Sequence, residues 1–154
     1  MTLRTVLLFC LSLLLSSSSD APAFKATDIT GVDWGKDFAL TDHLGQARRL
    51  SDFKGKVVVL FFGYTQCPDV CPTTLSALRE VLLQLGKEAD QVQVVFATLD
   101  PARDTPALLA EYVSAFHPGF IGLYGNETTT AATARDFKVF YAKHPGTLPG
   151  SYSI

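Results

Sequence analysis

Phe61-Phe62-Gly63-Tyr64-Thr65-Gln66-Cys67-Pro68-Asp69-Val70-Cys71-Pro72 is the stretch on which the reading of this chain turns. A β-branched run at residues 57–59 feeds an apolar segment that ends at Gly63, which reads as a strand. Two cysteines follow, with three residues between them, and Pro72 opens a segment with helical spacing. The thiols therefore fall on a strand-to-helix turn, where free N–H groups and the positive end of the helix dipole are expected to lower thiol pKa values. Thiolate is both the metal ligand and the redox nucleophile. Soft sulfur donors in this placement suit Cu(I), zinc or disulfide exchange. The bland alternative, two small buried residues, leaves the repeated Cys-Pro unexplained.

Working outward, the N-terminal side predicts a hairpin. Phe38 and Leu40 alternate with Ala39 and Thr41, Asp42-His43-Leu44-Gly45 is turn-like, and residues 47–50 return. The strand at residues 57–63 is apolar on both faces, as expected inside a sheet covered by helices. On the C-terminal side Leu75, Leu78, Val81, Leu82 and Leu85 keep helical spacing, with Gly86 as the stop. Residues 92–99 read as a second apolar strand. Thr105 then caps a helix with Pro106 at its first position and a stripe of Leu108, Leu109, Tyr112, Val113 and Phe116. Residues 120–124 form a short strand, residues 131–141 a third helix, and residues 143–150 a Pro/Gly loop. Strands alternating with helices predict an α/β fold with a mostly parallel central sheet flanked by helices, and a dithiol turn after the first core strand makes it thioredoxin-like.

The composition excludes some functions. The chain has 154 residues, one-domain length, and a formal charge of −2 with no basic run, so nucleic-acid binding has no electrostatic footprint. Residues 1–19 combine Arg4 with an apolar stretch at residues 6–15 and small residues at 16–19, which reads as an export signal or N-terminal anchor. The apolar stretch has about 10 residues against the roughly 20 that a spanning helix needs. Without residues 1–19, Cys67 and Cys71 are the remaining cysteines, the charge becomes −3 through loss of Arg4, and export places the thiols in an oxidising compartment. Residues 20–35 read as an irregular leader before a domain at 36–154.

The chain resembles the Sco/SenC family, thioredoxin-fold proteins that handle copper for cytochrome c oxidase assembly. The resemblance rests on Phe38-Ala39-Leu40-Thr41-Asp42, on the run from Gly55 to Thr65, and on Cys67-Pro68-Asp69-Val70-Cys71-Pro72. It extends to Leu99-Asp100-Pro101-Ala102-Arg103-Asp104-Thr105-Pro106 and to Ala134-Arg135-Asp136-Phe137 through Tyr141. It implies that Cys67 and Cys71 are ligands for a copper ion and, when oxidised, partners in a disulfide. It implies a periplasmic metallochaperone, soluble or held at the inner membrane by its N-terminal segment. Its partners would be the copper-site subunit of the oxidase and other copper carriers. Asp100 and Asp104 follow the strand whose end should lie beside the dithiol, where they either support the ligands or cap the next helix.

The family's third ligand is a histidine in an Asp-His pair directly after an aromatic-x-apolar segment, and here Tyr152-Ser153-Ile154 is the last segment. His43, His117 and His144 do not match that position and read as loop histidines. The expectation is a copper-site domain holding two of three ligands, with the family's last strands and helix not represented. A rival function on the same sulfurs is a thiol–disulfide oxidoreductase that reduces the oxidase's cysteines. A thiol peroxidase fits less well, since Gly63 and Tyr64 stand where its Thr/Ser-x-x-Cys segment would begin.

Overall fold

Alternation along one strand organises the molecule. In the computed structural model, which describes residues 25–154, the strand from Val92 to Thr98 has Val94, Val95, Phe96, Ala97 and Thr98 all buried. Successive side chains point to opposite faces, so Val94 and Phe96 serve one core layer and Val95 and Ala97 the other. The elements in chain order are β1 (Ala39–Asp42), β2 (Ala47–Arg49), β3 (Val57–Gly63), α1 (Val70–Leu85), β4 (Val92–Thr98), α2 (Pro106–Phe116), β5 (Ile121–Tyr124), α3 (Glu127–Asp136), β6 (His144–Pro145) and β7 (Tyr152–Ser153). The chain divides into two units at Val32–Asp33, and everything below concerns Asp33–Ile154. The expected signal or anchor at residues 1–19 lies outside the described residues. Among the described residues no helix is long and apolar enough to cross a membrane.

The main sheet has the order β2-β1-β5-β4-β3. Strands β3, β4 and β5 are parallel, while β1 runs antiparallel to both β2 and β5. The sheet is mixed rather than mostly parallel, because the N-terminal hairpin joins the core sheet through β1. Leu75, Leu82, Leu109, Val113 and Phe120 pack with Val94 and Phe96 on one face. Phe38, Leu40, Phe53 and Leu123 pack with Val95 and Ala97 on the other, and Phe137 covers them with rings 6.3 Å from Phe38 and 5.8 Å from Phe62.

Several expectations need correction. Strand β3 is not interior: it pairs with β4 alone and forms a sheet edge, and Val57 is exposed. Its apolar run reflects two covered faces, not two strand neighbours. Val81 and Leu108 lie outside the buried stripes of their helices. Helix α1 starts at Val70, so Cys71 and Pro72 already belong to its first turn. Helix α3 begins and ends earlier than its apolar residues suggest. Asn126 caps it by accepting from Thr129 N–H at 2.8 Å, and Lys138 at φ 57° breaks the chain direction after Asp136. Residues 143–150 are not simply a loop, since β6 and β7 pair across them.

The β1–β2 turn is built on a buried charge. Asp42 is 1% exposed and accepts from Leu44 N–H (2.9 Å), Gln46 N–H (2.8 Å) and Arg48 Nε (2.8 Å). Burial pushes its carboxyl up, but these hydrogen bonds and the Arg48 charge outweigh it, leaving the group below the usual carboxylate range. A depressed folded-state pKa contributes stability that is present above the unfolded value near pH ~4 and is lost as pH falls through the lower folded value. Asp42→Asn should therefore destabilise the protein at neutral pH by about 2 kcal/mol and flatten the acid limb of its stability curve. Urea unfolding between pH 7 and pH 3 measures both.

Candidate metal centre

Strand β3 delivers the chain to the site and Gly63 lets it arrive. A Cβ at Gly63 would stand 2.8 Å from the Phe96 ring and 3.0 Å from Cys71 Sγ, so only glycine admits both. Tyr64 is buried, Cys67 N–H turns back to the Tyr64 carbonyl at 3.2 Å, and α1 begins after Asp69. The Asp69 side chain makes no cap bond to the helix N–H groups. Instead Cys67 Sγ accepts from Cys71 N–H at 3.3 Å, so sulfur occupies the place of a capping oxygen. Both cysteines are free thiols.

The two sulfurs differ. Cys67 is half-buried, at the helix mouth, while Cys71 is 5% exposed. Burial, then a hydrogen bond shared with Cys67, push the Cys71 thiol up to about 12, with the charges of Cys67 and Asp104 acting in the same direction. This corrects the expectation from helix position: at Cys71 desolvation outweighs the dipole. The same sulfurs and Asp104, after burial, push the Tyr112 phenol up to about 12.

Asp100 and Asp104 are both buried. Neither caps α2, which uses Thr105, whose side chain accepts from Leu108 N–H at 3.2 Å. Asp104 instead accepts from Thr65 N–H (3.0 Å), Thr65 Oγ1 (2.6 Å) and Thr98 Oγ1 (2.5 Å), clamping the start of the dithiol turn to the end of β4. Asp100 accepts from Arg103 Nε and from the Tyr152 hydroxyl at 2.6 Å. The carboxylates thus bind the frame around the sulfurs and not the sulfurs themselves. Nothing local in the sequence pairs Asp104 with Thr65, 39 positions away; the Asp-Pro-x-Arg-Asp-Thr motif was the available signal.

The histidines lie elsewhere, and two are more than solvated loop residues. His43 Nδ1 accepts from Gly122 N–H at 3.0 Å, tying the β1–β2 turn to β5, and His117 Nδ1 accepts from Gly119 N–H at 3.1 Å. His144 is exposed in β6. Among the described residues no three of His, Cys, Asp and Glu gather in a group able to hold a metal ion. The donor set here is two sulfurs.

The model of the SCO1/SenC family matches residues 26–154. The chain belongs to the SCO1/SenC family. A SCO2-like protein of Rickettsia felis is 45% identical over 115 residues, which cover 75% of this chain and 56% of that relative. The chain thus spans about half the length of the curated relatives it matches. Copper-bound ScoI of Bradyrhizobium japonicum superposes with a TM-score of 0.74 at 43% identity, covering 79% of this chain and 76% of that one. Apo Sco1 of Thermus thermophilus gives 0.69 at 48% identity, covering 76% and 68%. The thioredoxin-like architecture read from the alternating strands and helices is that of these SCO1/SenC structures.

The clamp can be tested without any metal. Asp104→Asn should lower stability by about 2–4 kcal/mol, because buried hydroxyl and amide donors lose a charged acceptor. Exposed Asp69→Asn should change it by less than about 0.5 kcal/mol. Denaturant unfolding of both variants, with amide exchange at Thr65, checks the pair.

Proposed function

We propose that this protein binds copper through Cys67 and Cys71 and carries it to the dinuclear copper site of cytochrome c oxidase during assembly. The observation that carries the reading is the free dithiol at the mouth of α1, with Cys67 Sγ accepting the Cys71 N–H. Two sulfurs anchored at the two ends of one short turn form a chelating pair, and soft thiolates select Cu(I) over hard cations. The copper-bound Bradyrhizobium relative supports the choice of metal. Copper is cargo here: it is held by thiolates and passed on by ligand exchange, with no turnover at the protein. The thiol of Cys71 must give up its proton to become a ligand, so loading releases protons.

The remaining assignments follow from the same reading. The histidine that completes the family's ligand set is proposed as the third donor. Asp100 and Asp104 act behind the ligands, Asp104 by fixing the turn that presents Cys67. When oxidised, Cys67 and Cys71 close a disulfide, which protects the empty site in an oxidising compartment. The working location is the periplasmic side of a bacterial membrane, with residues 1–19 as signal or anchor.

Cys67→Ala and Cys71→Ala should each weaken Cu(I) binding by more than about 100-fold, since loss of mere supporting partners already costs 10–100-fold at metal sites. Competition against a chromophoric Cu(I) chelator under reducing conditions reads this directly. Retention of wild-type affinity by either variant sinks the assignment. If the wild-type chain binds no copper but its disulfide exchanges with a thiol substrate, the oxidoreductase reading replaces this one.

A further inference from the structure

The dithiol turn is anchored at both ends and exposed between them. Thr65 is clamped by Asp104, and Cys71 is buried with its sulfur close to Gly63. Between these anchors Gln66, Pro68, Asp69 and Val70 are exposed. Among the described residues three side-chain hydrogen bonds reach that interval from outside it. Cys71 N–H to Cys67 Sγ (3.3 Å) and Thr73 Oγ1 to Asp69 Oδ1 (3.3 Å) come from the first turn of α1, while Arg103 Nη1 to Gln66 Oε1 (3.2 Å) is the one that comes from another part of the fold. Gln66 adjoins Cys67.

Arg103 is itself held from several directions. Its Nε donates to buried Asp100, and its Nη1 also donates to the Tyr152 carbonyl at 2.8 Å. The guanidinium lies 3.7 Å from the centre of the Tyr152 ring, and the Tyr152 hydroxyl closes the circuit to Asp100 at 2.6 Å. Tyr152 belongs to β7, so this hub joins the end of β4, the C-terminal hairpin and the neighbour of Cys67. A planar fork on an aromatic face is a geometry lysine does not reproduce.

We propose that Arg103 and Tyr152 are positioning residues for Cys67, fastening the exposed limb of the dithiol turn to the β6–β7 hairpin. The hairpin's placement is thereby read out at one sulfur and not the other, because Cys71 is fixed by the core. The assignment rests on the reading of Cys67 as a working ligand, but its mechanical content does not require the metal.

The test is the alkylation rate of each cysteine, resolved by peptide mass spectrometry in the reduced, copper-free 154-residue protein, with thermal unfolding alongside. Arg103→Lys keeps the charge and loses the fork; it should speed labelling of Cys67 by about 2- to 10-fold, the range expected for loss of one net hydrogen bond. Labelling of Cys71 should stay unchanged. Gln66→Ala should act on Cys67 in the same way, and Tyr152→Phe, which keeps the stacked ring, should act more weakly. Unchanged Cys67 labelling in Arg103→Lys and Gln66→Ala overturns the proposal. So does a parallel rise at both cysteines with a lower melting temperature, which marks general loosening. If Arg103→Lys does not fold, the exposed Gln66→Ala variant decides the question alone. Failure of the wild-type chain to bind Cu(I) overturns the copper reading and leaves these rates standing.

Discussion

The buried carboxylate of Asp104 fixes how the chain leaves the sheet on its way to the two cysteines. It gathers the amide and hydroxyl of Thr65 and the hydroxyl of Thr98, joining the exit of β3 to the exit of β4. Parallel pairing of β3 with β4 brings these exits side by side, ending at Gly63 opposite Thr98. The clamp then turns strand register into loop geometry. Burying such a group is costly unless its acceptor sites are filled, and three donors fill them here. Gly63 adds the steric half of the constraint, since any side chain there would collide with Phe96 and the Cys71 sulfur together.

Inside that frame the two sulfurs serve opposite needs. Cys71 is buried beside Gly63, with its thiol pushed up to about 12 by burial and by its partner. Cys67 sits where helix N–H groups look for an acceptor, and its sulfur takes one of them. Cys67 is the more exposed of the two, so an incoming reagent meets it first. Such a division is compatible with the copper transfer proposed above, one sulfur exchanging and the other retaining the ion.

Sequence signals are legible where one element decides them. The Thr105–Pro106 start of α2 and the apolar β4 follow from residue type and spacing and stand where expected, and the order strand, dithiol turn, helix holds with α1 beginning two residues early, at Val70. What escaped depends on partners far along the chain. The edge position of β3 is set by strand order, and the roles of Asp104 and Arg103 come from residues 39 and 49 positions away. Helix α3 starts before its apolar residues because Glu127-Thr128-Thr129-Thr130 has no apolar rhythm, and Asn126, the cap three residues before Thr129, is the local signal of its true start. At Cys71 the helix-end rule failed since burial, a tertiary property, dominates the thiol. The histidines looked alike in sequence, and only the fold shows His43 and His117 bonded to backbone amides.

Strand β3 has a consequence that concerns concentration and not temperature. Its outer rim carries N–H and C=O groups of an uncharged, proline-free run, Val57 to Gly63, with no strand beside it among the described residues. Joining two such rims is a bimolecular event. Its rate grows with the square of protein concentration, whereas unfolding of a single chain is indifferent to dilution. In any preparation of this 154-residue chain, dilution will preserve the monomer more effectively than cooling, since weaker hydrophobic association in the cold does nothing to satisfy bare backbone groups.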